Sequence, residues 1–512
     1  MRCWIDGSAP TGCGEVSRSD RHDESHTGGD SLYPPAFGLG YSVRVVHERL
    51  SPLDSSFLAI EDGVSHMHIA SIGIFEGPAP RYGDLVAMVA GKLRLVPRYR
   101  QVIERVPGDL GRPVWVDDPH FNIEYHVRHT ALPEPGGEEE VRKLVGRIMS
   151  QQLDRAKPLW EIWMVDGLEG GRWALASKTH HCMVDGVSGT ELLSVIMDLT
   201  PEVLPSEPVE WEPQPHPSQL GLAMTAVIDM VKSPYEQFRA ARSAFRLPRN
   251  AVRELWAVGR GMSAMLGAVR PTPPSSLNGP IGPHRSWAWA STSVEDVRAV
   301  RREHGGTFND VVLACITAGF RELLLSRGES ADRVVRTMVP VSVRPRSDQG
   351  LAVGDGVLAN KVSAMFAELP VYEAEPLRCL QIVTEQMAGL KDSQEALAGE
   401  ALTSLSGFAP PMLLALGGRI ATKGSQRNIN TVTTNVPGPQ VPLYVLGRRM
   451  LQAFPFVPLG AQMRVTVAIF SYDGQVNFGV TGDYDAAPDV VILCAGIEKG
   501  LADLLVAGAP GT

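Results

Sequence analysis

Residues 173–189 read WALASKTHHCMVDGVSG and carry several chemically active side chains in a short span. The glycine-rich segment 167–171 (GLEGG) before them predicts a tight turn, so residues 172–180 are expected to form the second strand of a hairpin. Apolar residues then recur at helical spacing, at Leu192, Leu193, Ile196 and Leu199. His180 and His181 are therefore predicted to lie at a strand end, just before a glycine-containing turn that leads into a helix.

If strand geometry continues through both histidines, His180 and His181 point to opposite faces, so only one of them can face a given cleft. One of them can face a cleft, where a neutral imidazole with a pKa of about 6.5 is able to take a proton from a hydroxyl group. The other can pack inside the protein. We expect Asp185 to pair with a distant arginine and to hold the shape of the turn.

The residues alone leave three other kinds of site open: a zinc site, a serine hydrolase site and a cysteine nucleophile. Each of them lacks a required feature. His181 and Asp185 have i, i+4 spacing for zinc, but no third ligand is apparent nearby and H-E-x-x-H is absent. Residues 186–190 (GVSGT) miss the final glycine of the serine hydrolase motif G-x-S-x-G. Cys182 is a candidate nucleophile, yet adjacent strand side chains diverge and a buried structural cysteine is more common. A histidine pair with only a packing role is also a common outcome.

The composition limits the classes of protein. The chain has 512 residues, of which 44% are hydrophobic and 21% are charged, so it can build large cores and is not disordered as a whole. Its 48 basic and 57 acidic side chains give a net charge of −9, and no long basic block is present, which excludes nucleic acid as the main partner. The 6 cysteines form no C-x-x-C pair, which is typical of free thiols in a reducing compartment.

No segment reaches the roughly 18 apolar residues of a spanning helix, so we expect a cytoplasmic chain, with contact to a membrane surface left open. One segment, 232–260, has seven basic and two acidic side chains, against the negative charge of the whole chain. Aromatic residues interrupt it at Phe238, Phe245 and Trp256. Such a basic amphipathic segment is able to lie on anionic lipid, and it is equally typical of a bridging helix with a solvated face.

Composition and periodicity divide the chain into four parts. Residues 1–44 have no apolar period and are predicted to be a disordered extension; one interpretation is an early choice of start codon, which N-terminal sequencing of the native protein would reveal. Residues 45–215 and 285–508 alternate strand and helix patterns and predict two α/β domains. Residues 216–284 are predicted to be a helical connecting unit between proline-rich stretches.

Residues 180–186 resemble the H-H-x-x-x-D-G motif of CoA-dependent acyltransferases, the superfamily of chloramphenicol acetyltransferase and of peptide-synthetase condensation domains. Four further motifs narrow the resemblance to the bacterial wax ester synthase/acyl-CoA:diacylglycerol acyltransferase family. They are 50–54 (LSPLD), 158–160 (PLW), 309–310 (ND) and 433–439 (TTNVPGP). The likeness runs from about residue 48 to residue 500, and five ordered motifs are far more specific than the first one alone.

The resemblance implies an α/β protein made of two chloramphenicol-acetyltransferase-like domains with the active site in a tunnel between them. It implies acyl transfer from acyl-CoA, as a co-substrate, to diacylglycerol or a fatty alcohol, without a metal, a bound cofactor or a covalent intermediate. Peripheral contact with the inner face of a membrane or with lipid droplets is a further implication. The implied catalytic residues are His181 as the general base, His180, Asp185 and Gly186.

The resemblance also implies substrate-binding residues, namely Pro158, Leu159, Trp160, Asn309 and Asp310. Plainer interpretations exist for both motifs, since Thr307-Phe-Asn309-Asp310 fits a helix N-cap and a tryptophan beside a strand is usually core. By analogy with the superfamily, Arg98 and Arg100 are candidate partners for Asp185. Arg464 stands where many family members carry asparagine.

Two alternatives to this function stay open. One is an acyltransferase for a specialised cell-envelope lipid alcohol. The other is a catalytically silent lipid-binding protein of the same fold. The intact H-H-x-x-x-D-G run makes the silent protein the weaker alternative.

Overall fold

Two six-stranded sheets organise the chain in the computed structural model. The structure describes residues 47–183, 195–203, 210–226, 228, 273–342, 362–392, 429–460 and 462–507. Residues 1–46, the turn residues Asp185 and Gly186, and the basic segment 232–260 lie outside the described residues.

The first sheet has the order β11-β12-β1-β6-β5-β4. Only β4 and β5 run parallel in it. Its strands are β1 (His68–Phe75), β4 (Val127–Ala131), β5 (Trp160–Asp166), β6 (Trp173–His180), β11 (Tyr444–Val445) and β12 (Arg448–Phe456). Strands β11 and β12 come from late in the chain. The first sheet is therefore completed by a segment that follows the first strands of the second sheet in the sequence.

The second sheet has the order β7-β14-β13-β10-β8-β9, with β10 parallel to both of its neighbours. Its strands are β7 (Arg285–Ser293), β8 (Val335–Ser342), β9 (Val362–Leu369), β10 (Thr431–Pro437), β13 (Val465–Tyr472) and β14 (Gln475–Asp483). A separate hairpin pairs β2 (Gln101–Glu104) with β3 (Val114–Asp117). The predicted mixed α/β class is confirmed.

Helices cover both sheets. They are α1 (Pro52–Ile60), α2 (Tyr82–Lys92), α3 (Ile123–His126), α4 (Glu138–Ser150), α5 (Val294–His304), α6 (Phe308–Ser326), α7 (Pro376–Asp392) and α8 (Val490–Ala507). Helix α4 buries Leu144, Val145 and Ile148 in a cluster that also holds Trp287 and Phe454, one from each sheet. None of the helices in the described ranges has the length and apolar character that crossing a bilayer requires.

A glycine lies where the two sheets approach each other closely. A Cβ atom on Gly479 of β14 would lie 1.7 Å from the carbonyl oxygen of Pro455 on β12. Because both atoms belong to paired strands, neither can move aside without disturbing a ladder. The spacing of the sheets at this point therefore depends on the missing side chain.

The predicted hairpin before the histidine motif is confirmed. Strand β6 begins at Trp173 and pairs antiparallel with β5, after a turn in which Gly170 and Gly171 have φ of 75° and 70°. The strand ends at His180, and His181 begins a short 3₁₀ helix, His181–Met183. The premise that strand geometry continues through both histidines is therefore wrong, because the backbone turns between them.

Candidate active site

The histidine motif lies at the end of β6, where two further histidines meet it from β1 and from the segment before β1. His180 is fully buried, and its main-chain N–H donates to the carbonyl oxygen of Leu159 at 2.9 Å. His68 is its partner across the β1–β6 ladder, with the two rings edge to face at 6.0 Å. His66 lies beside His68 at 5.5 Å. Three imidazoles thus share one buried site.

A carboxylate at the end of α1 lies between these rings. Glu61 is the C-cap residue of α1, and its side chain is only 1% exposed. One oxygen lies 3.4 Å from Nε2 of His68 and the other 3.4 Å from Nε2 of His180. Arg155 donates from Nε to the second oxygen at 2.9 Å. Burial alone raises the pKa of Glu61, but contacts with His180, His68 and Arg155 outweigh it, so the pKa is lowered and the carboxylate is charged.

The hydrogen bonds assign a tautomer to His180. Its Nδ1 accepts from the main-chain N–H of Cys182 at 3.1 Å. A neutral imidazole has one donor and one acceptor nitrogen, so Nε2 carries the proton and faces Glu61. The contact to Glu61 is long and poorly aligned for a hydrogen bond, so we treat it as mainly electrostatic. His180 thereby joins α1 to the turn that carries His181.

His181 is held differently. Its main-chain N–H donates to the carbonyl oxygen of Met67 at 2.8 Å, and its ring stacks on Phe57 of α1 with centroids 4.0 Å apart. The residue as a whole is half-buried, while Nδ1 is shielded from solvent and has no hydrogen-bond partner in the described ranges. Burial lowers the pKa of His181 to about 4, opposed by its own carbonyl group. At neutral pH the ring is therefore uncharged and able to accept a proton.

The segment after α4 is fastened to the same site by buried polar contacts. Lys178 is fully buried on β6, and its Nζ donates to the carbonyl oxygens of Ile148, at 2.9 Å, and Gln151, at the C-terminus of α4. Burial lowers the pKa of Lys178 to about 8. The main-chain N–H of Leu153 lies 3.3 Å from Nε2 of His68, the nitrogen that also faces Glu61. Together with the hydrogen bond from Arg155 to Glu61, these contacts hold residues 148–155 against the histidines.

Comparison with known proteins assigns the chain to a family. The model of the wax ester synthase/diacylglycerol acyltransferase catalytic domain matches residues 50–312, and that of the family's C-terminal domain matches residues 358–505. The chain belongs to the wax ester synthase/diacylglycerol acyltransferase family. It is an acyltransferase of triacylglycerol or wax ester biosynthesis.

Similar proteins extend over nearly the whole chain. A probable diacylglycerol O-acyltransferase of Mycobacterium tuberculosis is 36% identical over 467 residues, which cover 89% of this chain and 95% of that protein. The wax ester synthase/diacylglycerol acyltransferase of Marinobacter aquaeolei VT8 superposes with a TM-score of 0.64 at 26% identity, covering 90% of this chain and all of that one. The first condensation domain of the calcium-dependent antibiotic synthetase shares the fold, with a TM-score of 0.54 at 17% identity over 91% of this chain and 98% of that domain. The predicted chloramphenicol-acetyltransferase-like fold is confirmed.

The family's PLW motif directly supports the histidine strand. Leu159 accepts the N–H of His180, and Trp160 is fully buried, with its indole N–H donating to the carbonyl oxygen of Tyr99 at 2.7 Å. Pro158 is buried as well. These contacts are those of core residues, and the substrate-binding role assigned to all three stays a prediction.

The family's ND motif caps α6, as its pattern predicts. Thr307 is the N-cap residue, and Asp310 Oδ2 accepts from the main-chain N–H of Thr307 at 2.7 Å. Asn309 Oδ1 accepts from Nδ2 of Asn435 at 3.3 Å, which joins the ND motif to the NVPGP motif of β10. Within the described ranges, no hydrogen bond links Asn309 or Asp310 with His180 or His181. Their substrate-binding role also stays a prediction.

The candidate partners of Asp185 have other contacts. Arg98 pairs with Glu48 at 2.6 Å and lies over the ring of Trp115. Arg100 lies over the ring of Trp211 at 5.1 Å. Because Asp185 lies outside the described residues, its pairing stays a prediction, as does the catalytic role of Gly186.

Two other sequence features have a clear place in the structure. Arg464, the departure from the family pattern, donates to the carbonyl oxygens of Ser276 and Pro280, both at 3.3 Å.

Cys182 is buried, and burial raises the pKa of its thiol well above the usual value, so it is a poor nucleophile. In the part of the chain that the structure describes, no three histidine, cysteine or acidic side chains are arranged to hold a metal ion.

The sequence analysis missed three residues of this site: Glu61, His68 and Arg155. Glu61 and His68 lie shortly after the family's opening motif at 50–54, which indicates the family but not the site. The one sequence signal for Glu61 is its spacing from Phe57, because residues four apart lie on the same side of a helix. That spacing alone does not reveal what the two residues contact.

Proposed function

We propose that the protein transfers a long-chain acyl group from acyl-CoA to the hydroxyl group of diacylglycerol or a fatty alcohol, with His181 as the general base. The carrying observation is the state of His181: an uncharged ring at a strand end, stacked on Phe57, with a pKa lowered to about 4. The names of the similar proteins, diacylglycerol O-acyltransferase and wax ester synthase/diacylglycerol acyltransferase, support both kinds of acceptor.

The proposed reaction is one direct transfer. The acceptor hydroxyl gives its proton to Nε2 of His181 as its oxygen attacks the thioester carbonyl carbon. The tetrahedral intermediate then expels the CoA thiolate by breaking the C–S bond, and the thiolate takes the proton back from the imidazolium. An ester and free CoA result, without an acyl-enzyme. General-base help of this kind typically contributes about 10²- to 10⁴-fold.

We assign stabilisation of the oxyanion to Asn309. Its Oδ1 accepts from Asn435, which orients the amide, while Nδ2 has no hydrogen-bond partner among the described residues. An oriented amide donor of this type is suited to a developing oxyanion. The support is the orientation of the amide, together with the position of Asn309 at the start of α6.

A donor and acceptor panel tests the proposal. Release of free CoA is measured with acyl-CoA donors of several chain lengths against dioleoylglycerol, hexadecanol and a water-only control. We expect ester formation with at least one of the two acceptors, matched by one CoA for each ester. Activity only with a complex envelope alcohol would replace the proposed acceptor, and no activity with any alcohol would favour a silent lipid-binding protein.

We further propose that the protein meets these insoluble acceptors at a lipid surface, through the basic segment 232–260. Its seven basic side chains favour anionic headgroups. We expect flotation with vesicles that contain phosphatidylglycerol, and little with pure phosphatidylcholine. A variant with Arg242, Arg246, Arg249 and Arg253 changed to glutamine is expected to lose that difference. Equal recovery of both proteins on anionic vesicles contradicts the proposal.

A further inference from the structure

One turn of helix contacts both histidines of the motif. Phe57 lies within α1 and Glu61 caps its C-terminus, so the two side chains, four residues apart, point to the same side. Phe57 stacks on the ring of His181 at 4.0 Å, and Glu61 lies 3.4 Å from Nε2 of His180. The end of α1 is thus in direct contact with the ring proposed as the base and with the ring next to it.

Keeping the Glu61 carboxylate charged in this buried position costs free energy. Removing a charged group from water costs several kcal/mol, and a buried ion pair is often no more stabilising than apolar side chains of the same size. Arg155 is itself partly exposed, at 36% of its side chain, whereas the Glu61 side chain is 1% exposed. A purely structural ion pair does not require a carboxylate directed at two imidazoles. The arrangement therefore indicates a role toward the histidines.

We infer that Glu61 is a positioning residue for acyl transfer, which acts on His181 through His180. Its negative charge favours the His180 tautomer that carries the proton on Nε2. That tautomer leaves Nδ1 free to accept the N–H of Cys182, the residue after His181, at 3.1 Å. The turn that directs His181 is thereby held by a carboxylate on another element. This inference rests on the proposed role of His181.

The local charges define what a substitution at Glu61 changes. The side chains that face it are His68, His180 and Arg155, the main-chain N–H of Met67 donates to Oε1 at 3.4 Å, and His66 and Lys178 lie near enough to be affected by its charge. Glu61→Gln keeps the shape but removes the charge, and its amide is able to donate as well as accept. His180 then loses one of the two interactions that favour the Nε2-protonated tautomer, and the hydrogen bond from Cys182 is expected to be made only part of the time.

Steady-state kinetics of Glu61→Gln test the inference. We expect kcat to fall at least about tenfold, as when a carboxylate that orients a catalytic histidine is neutralised, while KM changes less than about threefold. Glu61→Asp keeps the charge and is expected to recover part of the lost kcat. The matched control is Glu368→Gln on β9 of the second sheet, a partly buried carboxylate that pairs with Arg336 at 2.6 Å. It is expected to leave kcat within twofold of the wild type.

Two comparisons separate a positioning role from a structural one. In a His181→Ala background, Glu61→Gln is expected to change kcat less than twofold, because residues that act as one unit are not additive. Histidine ¹⁵N spectra at neutral pH are expected to show a weaker Nε2-protonated signal of His180 in Glu61→Gln and an unchanged signal in Glu368→Gln. If Glu61→Gln keeps its kcat within twofold while His181→Ala is inactive, the inference is wrong and the proposed function stands. If His181→Ala is active, the proposed role of His181 as the base fails, and the inference for Glu61 fails with it.

Discussion

His181→Ala is expected to retain the fold and to lose almost all turnover, with kcat lower by about 10²- to 10⁴-fold. The substitution removes the only group proposed to take the proton of the acceptor hydroxyl. It leaves the backbone N–H of residue 181 on Met67 and removes a ring that is half-buried, so the loss of packing is limited to the stack on Phe57. Binding of acyl-CoA is expected to be nearly unchanged, so the effect should appear in kcat and not in KM.

The pH profile of the wild-type enzyme gives an independent check on the same residue. The base must be neutral, and burial lowers the pKa of His181 to about 4, so a base limb with a pKa near 6.5 should be absent. We expect kcat/KM to be flat between pH 6 and pH 8 and to fall as the pH decreases toward 4. Initial rates are read only where circular dichroism shows that the fold is intact, since charging buried histidines also destabilises the protein in acid.

The control variant is His129→Ala. His129 is 43% exposed in its side chain, pairs with Asp166 at 2.6 Å on the first sheet and makes no contact with the histidine site. It should keep full activity at the same protein concentration. A His181→Ala protein that retains a tenth or more of the wild-type kcat would show that another group acts as the base.

Local sequence rules predicted the elements around the site well. The turn at 167–171 predicted the hairpin that places His180 at a strand end, because hairpin geometry depends on neighbouring residues only. The capping pattern at Thr307 likewise specified the start of α6, since its bonds lie within three residues. Such features involve side chains and backbone groups that are close in sequence, so their pattern can be recognised without the fold.

The contacts that organise the site could not be predicted in the same way. Glu61 reaches His180 only because β1 pairs with β6 in the register that sets His68 opposite His180. That register depends on the whole first sheet, which β12 completes from a distant part of the chain. No periodicity of residues 50–70 encodes it. The family motif marked α1 as important, but only the folded structure shows what its last turn touches.

The backbone approach at Gly479 leads to the second large effect, in stability. Gly479→Ala is expected to destabilise the protein by about 3 kcal/mol or more, at the upper end of what overpacking costs. The added Cβ would lie 1.7 Å from the carbonyl oxygen of Pro455 and 3.3 Å from Nε1 of Trp287. Gly479 is not in the left-handed region, so backbone strain at that residue does not contribute and the effect is steric.

Gly389→Ala in α7 is the matched control and should change stability in the opposite direction. Its Cβ would meet nothing within 4 Å, and alanine is favoured over glycine in a helix by about 0.5–1 kcal/mol. Urea unfolding of both variants, followed by far-ultraviolet circular dichroism, measures the two changes against the wild type.

Because Pro455 belongs to β12, which pairs with β1, Gly479→Ala should also disturb the strand that carries His68 and lower kcat in the protein that still folds. Equal unfolding midpoints for Gly479→Ala and the wild type would mean that the two sheets are not in contact at this point, and the histidine site would then need a different support from the second sheet.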